Sequence, residues 1–218
     1  MTNYKKGSAA MALVAAVVGL AVGYGVARGM KTDTPMPATD TKAADLRVLL
    51  NALEKEHVAL ASAAVRNGFD GRADFGASAD SLDKNSVALS QAVGSVYGEA
   101  AAAKFLEIWR SHITFFVNYT VAAKKGDKAG MDKAVSDLGG YADAIADLLS
   151  GANENLPRET VKQLVLEHID HLKGAVDAYG ARDYAGSYAK QHDASEQIGV
   201  IADALAGAIV KQKPELFK

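Results

Sequence analysis

Five histidines are the residues of this sequence whose type and number point to chemistry: His57, His112, His168, His171 and His192. A neutral imidazole binds copper(II), zinc and iron, serves as an axial ligand of haem iron, and titrates near neutral pH. Cysteine is absent, which excludes disulfides, thiolate-bound zinc, iron–sulfur clusters and thiol catalysis. Whether the histidines act together depends on the helices that position them.

An alanine-rich, proline-poor sequence with apolar residues spaced three and four apart predicts an all-α fold. Asp127, Asp183 and Pro157 stand where helices are expected to begin. Five glycines interrupt the pattern where helices are expected to end: Gly68, Gly98, Gly126, Gly151 and Gly180. The predicted fold is an all-α helical bundle of about six helices after one N-terminal transmembrane helix. The predicted helices are 41–67, 76–97, 99–125, 128–150, 157–180 and 184–211.

An internal repeat groups these helices into three hairpins. Shifting the chain by 56 residues aligns His112 with His168 and Asp127 with Asp183 without a gap. A looser first copy starts at His57, 55 residues before His112. Repeated units of this kind pack in equivalent ways. Helices 1, 3 and 5 are therefore expected to run parallel, with helices 2, 4 and 6 antiparallel to them.

The spacing of apolar residues predicts that every histidine lies on the buried face of its helix. The predicted faces are Leu46, Leu50, Leu53, His57, Leu60 and Ala64 in helix 1, Phe105, Trp109, His112, Phe116 and Tyr119 in helix 3, Val161, Leu164, His168, His171, Ala175 and Ala178 in helix 5, and Ala185, Tyr188, His192, Ser195 and Gly199 in helix 6. His57, His112 and His168 each precede their hairpin turn by about thirteen residues. His171 precedes the last turn by about ten residues, and His192 follows it by about eleven. With a rise of about 1.5 Å per residue, all five fall within one or two turns of a common level. Their convergence on one point depends on how the helices are arranged around the axis.

Three interpretations of the buried histidines remain open. The favoured one, because five histidines share one depth, is a transition-metal site with all five as ligands, for storage, sensing or delivery of copper, zinc or iron. Bis-histidine haem is a minor alternative, in which Trp109, Phe116 and Tyr119 wall the cofactor. The third is a structural or protein-interaction module whose histidines are core packing or a network that responds to pH.

Carboxylates and thioethers narrow the choice of metal. A ferritin-like di-iron site needs glutamates on the buried faces, whereas Glu56 and Glu167 lie one position away from them and Asp83 and Asp137 also flank theirs. Met131 is the only methionine within the predicted bundle, so thioether ligation of copper(I) is disfavoured. An imidazole-rich site for copper(II), zinc or iron remains.

The N-terminal segment has the features of a membrane anchor. Two lysines precede an apolar stretch within residues 7–29 that is long enough to cross a hydrocarbon core of about 30 Å. An uncleaved anchor is favoured over a signal peptide because the apolar run is long and no small-x-small cleavage site follows. The bundle is then expected on the extracytoplasmic side of the cell membrane, in a single-pass protein, or secreted if the segment is cleaved. The predicted organisation is a cytoplasmic tail 1–6, the anchor 7–29, a linker 30–40, the bundle 41–213 and a tail 214–218.

Charge and motifs exclude several functions. The net charge is −2 and no stripe of lysines and arginines is present, which argues against a nucleic-acid partner. The sequence contains no nucleophile elbow, P-loop or dinucleotide-binding fingerprint, so catalysis has no specific support. A protein partner and a homo-oligomer remain open.

Four short segments carry a resemblance to a known group of proteins: Leu82-Asp83-Lys84-Asn85, Ser95-Val96-Tyr97-Gly98, Ile108-Trp109-Arg110-Ser111-His112-Ile113 and Phe116-Val117-Asn118-Tyr119-Thr120. The chain resembles extracytoplasmic all-helical domains of Gram-positive bacteria, some of them labelled copper amine oxidase-like, over most of residues 45–212. The resemblance implies a secreted or surface-anchored helical domain in which His57, His112, His168 and His192 are recurring positions. It does not imply amine oxidation, which belongs to a large β-rich enzyme with a modified tyrosine.

Overall fold

The computed structural model describes residues 39–218, so the predicted tail and anchor and most of the predicted linker lie outside the described residues. The described chain forms six α-helices and a short C-terminal 3-10 turn. The helices are α1 Lys42–Asp70, α2 Phe75–Tyr97, α3 Glu99–Lys125, α4 Lys128–Ala152, α5 Arg158–Gly180 and α6 Tyr184–Gln212. The predicted all-α architecture is confirmed for this part of the chain. None of its helices is long and apolar enough to cross a membrane.

The internal repeat includes the residues that cap the N-termini of two helices. Asp127 and Asp183 precede α4 and α6, and each side chain accepts a hydrogen bond from a backbone N–H three residues later, at 3.0 Å from Gly130 and 2.9 Å from Gly186. These bonds satisfy donors that have no partner within the helix. The second helices of two hairpins therefore start with the same cap, 56 residues apart.

The ends of helices depart from the prediction in several places. Gly126 ends α3 in the left-handed conformation, with φ 67°, as its position predicts. The end of α1 is Gly71, with φ 68°, whereas three glycines expected at helix ends lie within helices: Gly68, Gly151 and Gly180. A glycine inside a helix costs about 1 kcal/mol. The rings of Phe75 and Phe69 approach Gly68 and Gly180 so closely that a larger side chain there would require the rings to shift.

The six helices close into a ring with three helices in contact at its centre. Each helix packs on its neighbour in sequence, and α6 packs back on α1. The first helices of the three hairpins, α1, α3 and α5, also contact one another. Their buried faces therefore share one central space, and we call these three the inner helices.

The main hydrophobic core draws on all six helices and surrounds this central space. A second cluster, around Leu46 and Ile209, lies at the start of α1 and the end of α6. The 3-10 turn Pro214–Phe217 adds Phe217 to that cluster, so the predicted C-terminal tail includes an ordered turn. A third cluster contains Tyr119 and Val176. The polar side chains buried within the main core are the candidates for function.

Candidate functional site

Three histidines meet at the centre of the main core. His57 on α1, His112 on α3 and His168 on α5 are 2%, 5% and 8% exposed. All three line one cavity of about 40 Å³, which we call the histidine cavity. Each inner helix contributes one of them, so the structure brings together the three histidines that the repeat makes equivalent.

Two of these imidazoles approach each other with their ring planes tilted by 57°. The Nε2 atoms of His57 and His112 are 3.4 Å apart, which is longer than the usual 2.9–3.0 Å of a hydrogen bond donated by nitrogen. Trp109 packs edge-on against both rings, with centroids 4.9 Å from His57 and 4.7 Å from His112. Tyr141 of α4 stacks on His112 at 4.6 Å. These aromatic contacts restrict the orientation of both imidazoles.

Glu54 is a member of the site that the sequence interpretation missed. Its side chain lines the histidine cavity, is 3% exposed, and its Oε2 atom has no hydrogen-bond partner. Burial raises the pKa of Glu54 to about 8. The predicted buried face of α1 passed through Leu53 instead. The signal that identifies Glu54 is the Glu-x-x-His spacing to His57, which places both side chains on one side of a helix.

Burial keeps the three central imidazoles neutral. It lowers the pKa of His112 to about 3 and of His168 to about 4, and it lowers the pKa of His57 well below its usual value. Neighbouring imidazoles add to the effect, since a positive charge on one disfavours a charge on the next. Burial, and then Glu54, also raises the pKa of Tyr141. At neutral pH the cluster therefore presents neutral nitrogens with available lone pairs.

Most polar atoms that face this cavity are unpartnered. Those without a hydrogen-bond partner are Glu54 Oε2, His57 Nδ1, His112 Nδ1, Trp109 Nε1 and both ring nitrogens of His168. Buried polar atoms in native proteins nearly always have partners. Across residues 39–218, however, no three histidine, cysteine or acidic side chains are already arranged around one point as metal ligands. A metal site here requires some of these side chains to rotate.

The other two histidines lie further from the centre. His171 is half-buried, with its Nδ1 atom 4.0 Å from Asp193 Oδ2, and it is near enough to help lower the pKa of His168. His192 on α6 is exposed and does not line the histidine cavity. The prediction that all five histidines are buried is therefore wrong for His192.

The error at His192 arises from the choice of buried face on α6. The predicted face ran through Tyr188 and His192, both of which are exposed. The helix instead buries Ser187, Ala194 and Ile198, and Ser187 donates a hydrogen bond to a carbonyl of α5 at 2.9 Å. Small side chains allow α6 to approach its neighbours closely, and this decides which face turns inward.

The carboxylates considered from the sequence lie away from the site. Glu56, Glu167 and Asp83 are exposed, and Asp137 pairs with Lys133 on the surface of α4. None of these four acidic side chains lines the histidine cavity. Their predicted position off the buried faces is confirmed, and Glu54 is the carboxyl group among the residues that line the cavity.

The three aromatic residues expected to wall a haem do not form one surface. Trp109 and Phe116 line the histidine cavity. Tyr119 lies in a different core cluster, where its hydroxyl donates a 2.6 Å hydrogen bond to Asp177.

A larger cavity of about 410 Å³ adjoins the site and was not expected from the sequence. His57 and His112, which are buried, lie at its inner end, and the exposed Arg72 and Lys124 lie at its outer end. Its walls are mostly apolar side chains of α1, α2, α3 and α5. We call it the apolar cavity.

Comparison of the chain with protein-family models, with curated proteins and with solved structures finds no significant match. The resemblance to extracytoplasmic helical domains therefore stays a prediction, and function is inferred from the site.

Proposed function

We propose that this protein binds one transition-metal ion, either copper, zinc or iron, at the cluster formed by His57, His112, His168 and Glu54. The observation that carries the proposal is the 3.4 Å separation of the His57 and His112 Nε2 atoms. Two imidazole nitrogens bound at about 2.0–2.1 Å to one tetrahedral metal ion lie about 3.4 Å apart. The pair has the spacing of two ligands of one ion.

His168 and Glu54 supply the remaining ligands in this proposal. Both side chains line the same cavity, and both carry buried atoms without a hydrogen-bond partner. In the proposed complex both side chains rotate about their own bonds so that those atoms face the His57–His112 pair. Three nitrogens and one oxygen suit zinc, copper(II) and iron(II). A single carboxyl group favours one ion over a carboxylate-bridged pair.

The charges of the cluster suit a cation. Neutral imidazoles give up no proton when they bind a metal, and their lowered pKa values remove competition from protons. Glu54, with a pKa of about 8, is mostly protonated at pH 7 without a metal. A divalent ion nearby favours its ionised form, so binding is expected to release about one proton. The resulting carboxylate offsets part of the charge placed in the core.

The enclosed position favours storage, sensing or delivery of the metal over catalysis. A metal ion is favoured over bis-histidine haem because the gap between His57 and His112 leaves no space for a macrocycle between the rings. In the full proposal, the N-terminal segment anchors the bundle to the cell membrane and the metal is held on the extracytoplasmic side.

The single tryptophan gives a direct test, because Trp109 packs against both proposed ligands. The full chain is titrated separately with copper(II), zinc and iron(II), then desalted and analysed for bound metal. We expect about one equivalent to remain bound, and copper(II) to quench Trp109 emission. At pH 7 we also expect release of about one proton per ion. His57→Gln and His112→Gln are expected to weaken binding by tenfold or more, whereas His192→Gln is the matched control and leaves it unchanged.

Two outcomes contradict the proposal. One is that none of the three metals remains bound to the chain. The other is that His192→Gln weakens binding as much as His112→Gln does. A Soret band on addition of haem, lost in His57→Gln, indicates haem instead of a bare ion.

A second candidate function is a helical bundle that responds to pH by losing stability in acid. The observation in its favour is the lowered pKa of three buried histidines on three different helices. It requires no metal, and the dependence of stability on pH tests it, as described below.

A further inference from the structure

The apolar cavity has the size and lining of a small-molecule site. Its volume of about 410 Å³ falls within the roughly 300–1,000 Å³ that is usual for ligand pockets. Large apolar side chains such as Leu82, Ile113 and Phe116 form much of its wall. Small residues, including Ala61 and Ala175, leave the space between the helices open. The cavity extends from the turn end of the bundle to His57 and His112.

The outer end of this cavity is positively charged. Arg66 and Lys124 line it, and neither forms an ion pair with any residue of the described chain. The Arg66 guanidinium lies 4.1 Å from the centre of the Tyr188 ring and donates to a glutamine amide. A third cation, Arg72, is paired with Asp74.

Acidic groups at the same end are already engaged. Asp74 pairs with Arg72, and Asp70 accepts a 2.6 Å hydrogen bond from the Tyr179 hydroxyl. The charges of Arg66 and Lys124 are therefore the ones available to an anionic group at the cavity entrance. In the metal-free protein the inner end has no cation, because burial keeps His57 and His112 neutral.

We propose that the apolar cavity binds an amphiphile with one acyl chain and an anionic head group. The head group lies between Arg66 and Lys124, and the chain extends inward to His57 and His112. Along α3, twelve residues separate Lys124 from His112, a length of about 18 Å. One acyl chain in a bilayer spans about 15 Å, half of a hydrocarbon core of about 30 Å. This site shares His57 and His112 with the proposed metal site, but it rests on different observations, so either proposal stands if the other fails; its tests use the metal-free protein.

Trp109 reports the orientation of the chain, because it packs against the two histidines at the inner end. The full chain is mixed with brominated dodecanoate below its critical micelle concentration. Bromine at the terminal carbon is expected to quench Trp109 emission strongly, and bromine next to the carboxylate weakly. Equal quenching by the two compounds contradicts the proposed orientation.

A series of straight-chain ligands tests the length and the head group. From octanoate upward, the affinity measured by calorimetry is expected to rise about fourfold per methylene group, and to level off once the chain fills the cavity. Dodecanol is expected to bind severalfold more weakly than dodecanoate, because it lacks the charge. Dodecyl phosphate beside dodecanoate shows whether a phosphate or a carboxylate head group binds better. Equal affinity of dodecanol and dodecanoate contradicts the role of Arg66 and Lys124.

Two pairs of variants test the cavity itself. Ala61→Phe fills it and is expected to weaken dodecanoate binding more than tenfold, whereas Ala144→Phe, at a half-buried position of α4 that lines neither cavity, leaves binding unchanged. Lys124→Gln is expected to weaken binding about two- to fivefold, the usual strength of an exposed charge contact. The adjacent Lys125→Gln is its matched control. Circular dichroism verifies that each variant is folded, and unchanged binding in both Ala61→Phe and Lys124→Gln overturns the proposal.

Discussion

The three histidines that line the histidine cavity, which we call the inner histidines, lie at similar heights along the bundle to the other two but in different surroundings. His57, His112 and His168 are buried around one cavity, whereas His171 is half-buried and His192 is exposed. The inner three have lowered pKa values because of burial. The comparison teaches that the distance of a residue from the bundle axis, more than its height, decides whether its imidazole belongs to a site.

Lowering the pH is expected to reduce the free energy of unfolding through the inner histidines, and this is the largest of the expected effects. Their lowered pKa values mean that stability is fully present above the unfolded pKa of about 6.5 and is lost as the pH falls below it. Each inner histidine contributes a loss of about 1.4 kcal/mol per pH unit, and Glu54 opposes this with a gain of similar size, because its pKa is raised. For the metal-free protein we expect a net loss of about 3 kcal/mol between pH 6.5 and pH 5, which grows to about 4 kcal/mol by pH 4.5.

Urea unfolding of the metal-free protein at several pH values measures this loss. His112→Gln is expected to reduce the slope by about 1.4 kcal/mol per pH unit, whereas His192→Gln leaves it unchanged. A flat profile between pH 7 and pH 5 rules out the acid-responsive bundle.

Truncation of an inner histidine is expected to have the next largest effect. His112→Ala removes contacts with Trp109 and Tyr141 and leaves a space in the main core, at a cost of about 3 kcal/mol in the free energy of unfolding. His192→Ala, at an exposed position, is expected to change it by less than about 0.5 kcal/mol. Chemical denaturation at pH 7 measures the free energy of unfolding of both variants. Equal losses contradict the description of His112 as buried and His192 as exposed.

Replacement of Glu54 tests the surroundings of the inner histidines, because it is expected to raise the stability of the protein while it weakens metal binding. Its raised pKa means that stability present below the unfolded pKa is lost as the pH rises toward about 8. Glu54→Gln removes that loss, so the metal-free variant is expected to be more stable by about 3 kcal/mol at pH 7, with a larger gain at pH 8 than at pH 5. The same variant is expected to bind metal more weakly. The exposed Glu56→Gln is the control and changes neither quantity.

The smallest effect concerns the outer helices α2 and α6. Ser90 and Ser187 each donate a 2.9 Å hydrogen bond to a carbonyl of an inner helix, at Ala102 and Ala175. Replacing either serine by alanine is expected to cost about 1 kcal/mol, the usual net worth of a neutral hydrogen bond. The exposed Ser136→Ala is the control, and thermal unfolding compares the three variants. Unequal costs of the two serine variants show that α2 and α6 are held differently.

The helix α3 shows how far periodicity predicts a buried face. Large apolar and aromatic residues recur at intervals of three and four, and every residue of that predicted face is buried: Phe105, Trp109, His112, Phe116 and Tyr119. A helix with this spacing has one face whose burial removes much more apolar surface from water than burial of any other face. Where that difference is large, the sequence identifies the face without knowledge of the neighbours.

In the helices α1 and α6, periodicity does not fully identify the buried face. In α6, alanine and glycine occur on every side, so several faces are almost equally apolar and the buried one depends on close approach to α5 and α1. In α1, the charged Glu54 lies outside the face that periodicity predicts as buried, yet it is buried with a raised pKa. The apolar cavity was also missed, because its small wall residues define a space only when four helices are assembled.

From the sequence alone, the six helices, the Asp127 and Asp183 caps and the equivalence of His57, His112 and His168 follow, because side-chain capping and helical periodicity act over a few residues. The tertiary structure decided that the three hairpins present these histidines to one centre, that Glu54 joins them, and that two Nε2 atoms lie 3.4 Å apart. Those features depend on how the helices rotate about their axes. That rotation is set by the packing of all six buried faces together.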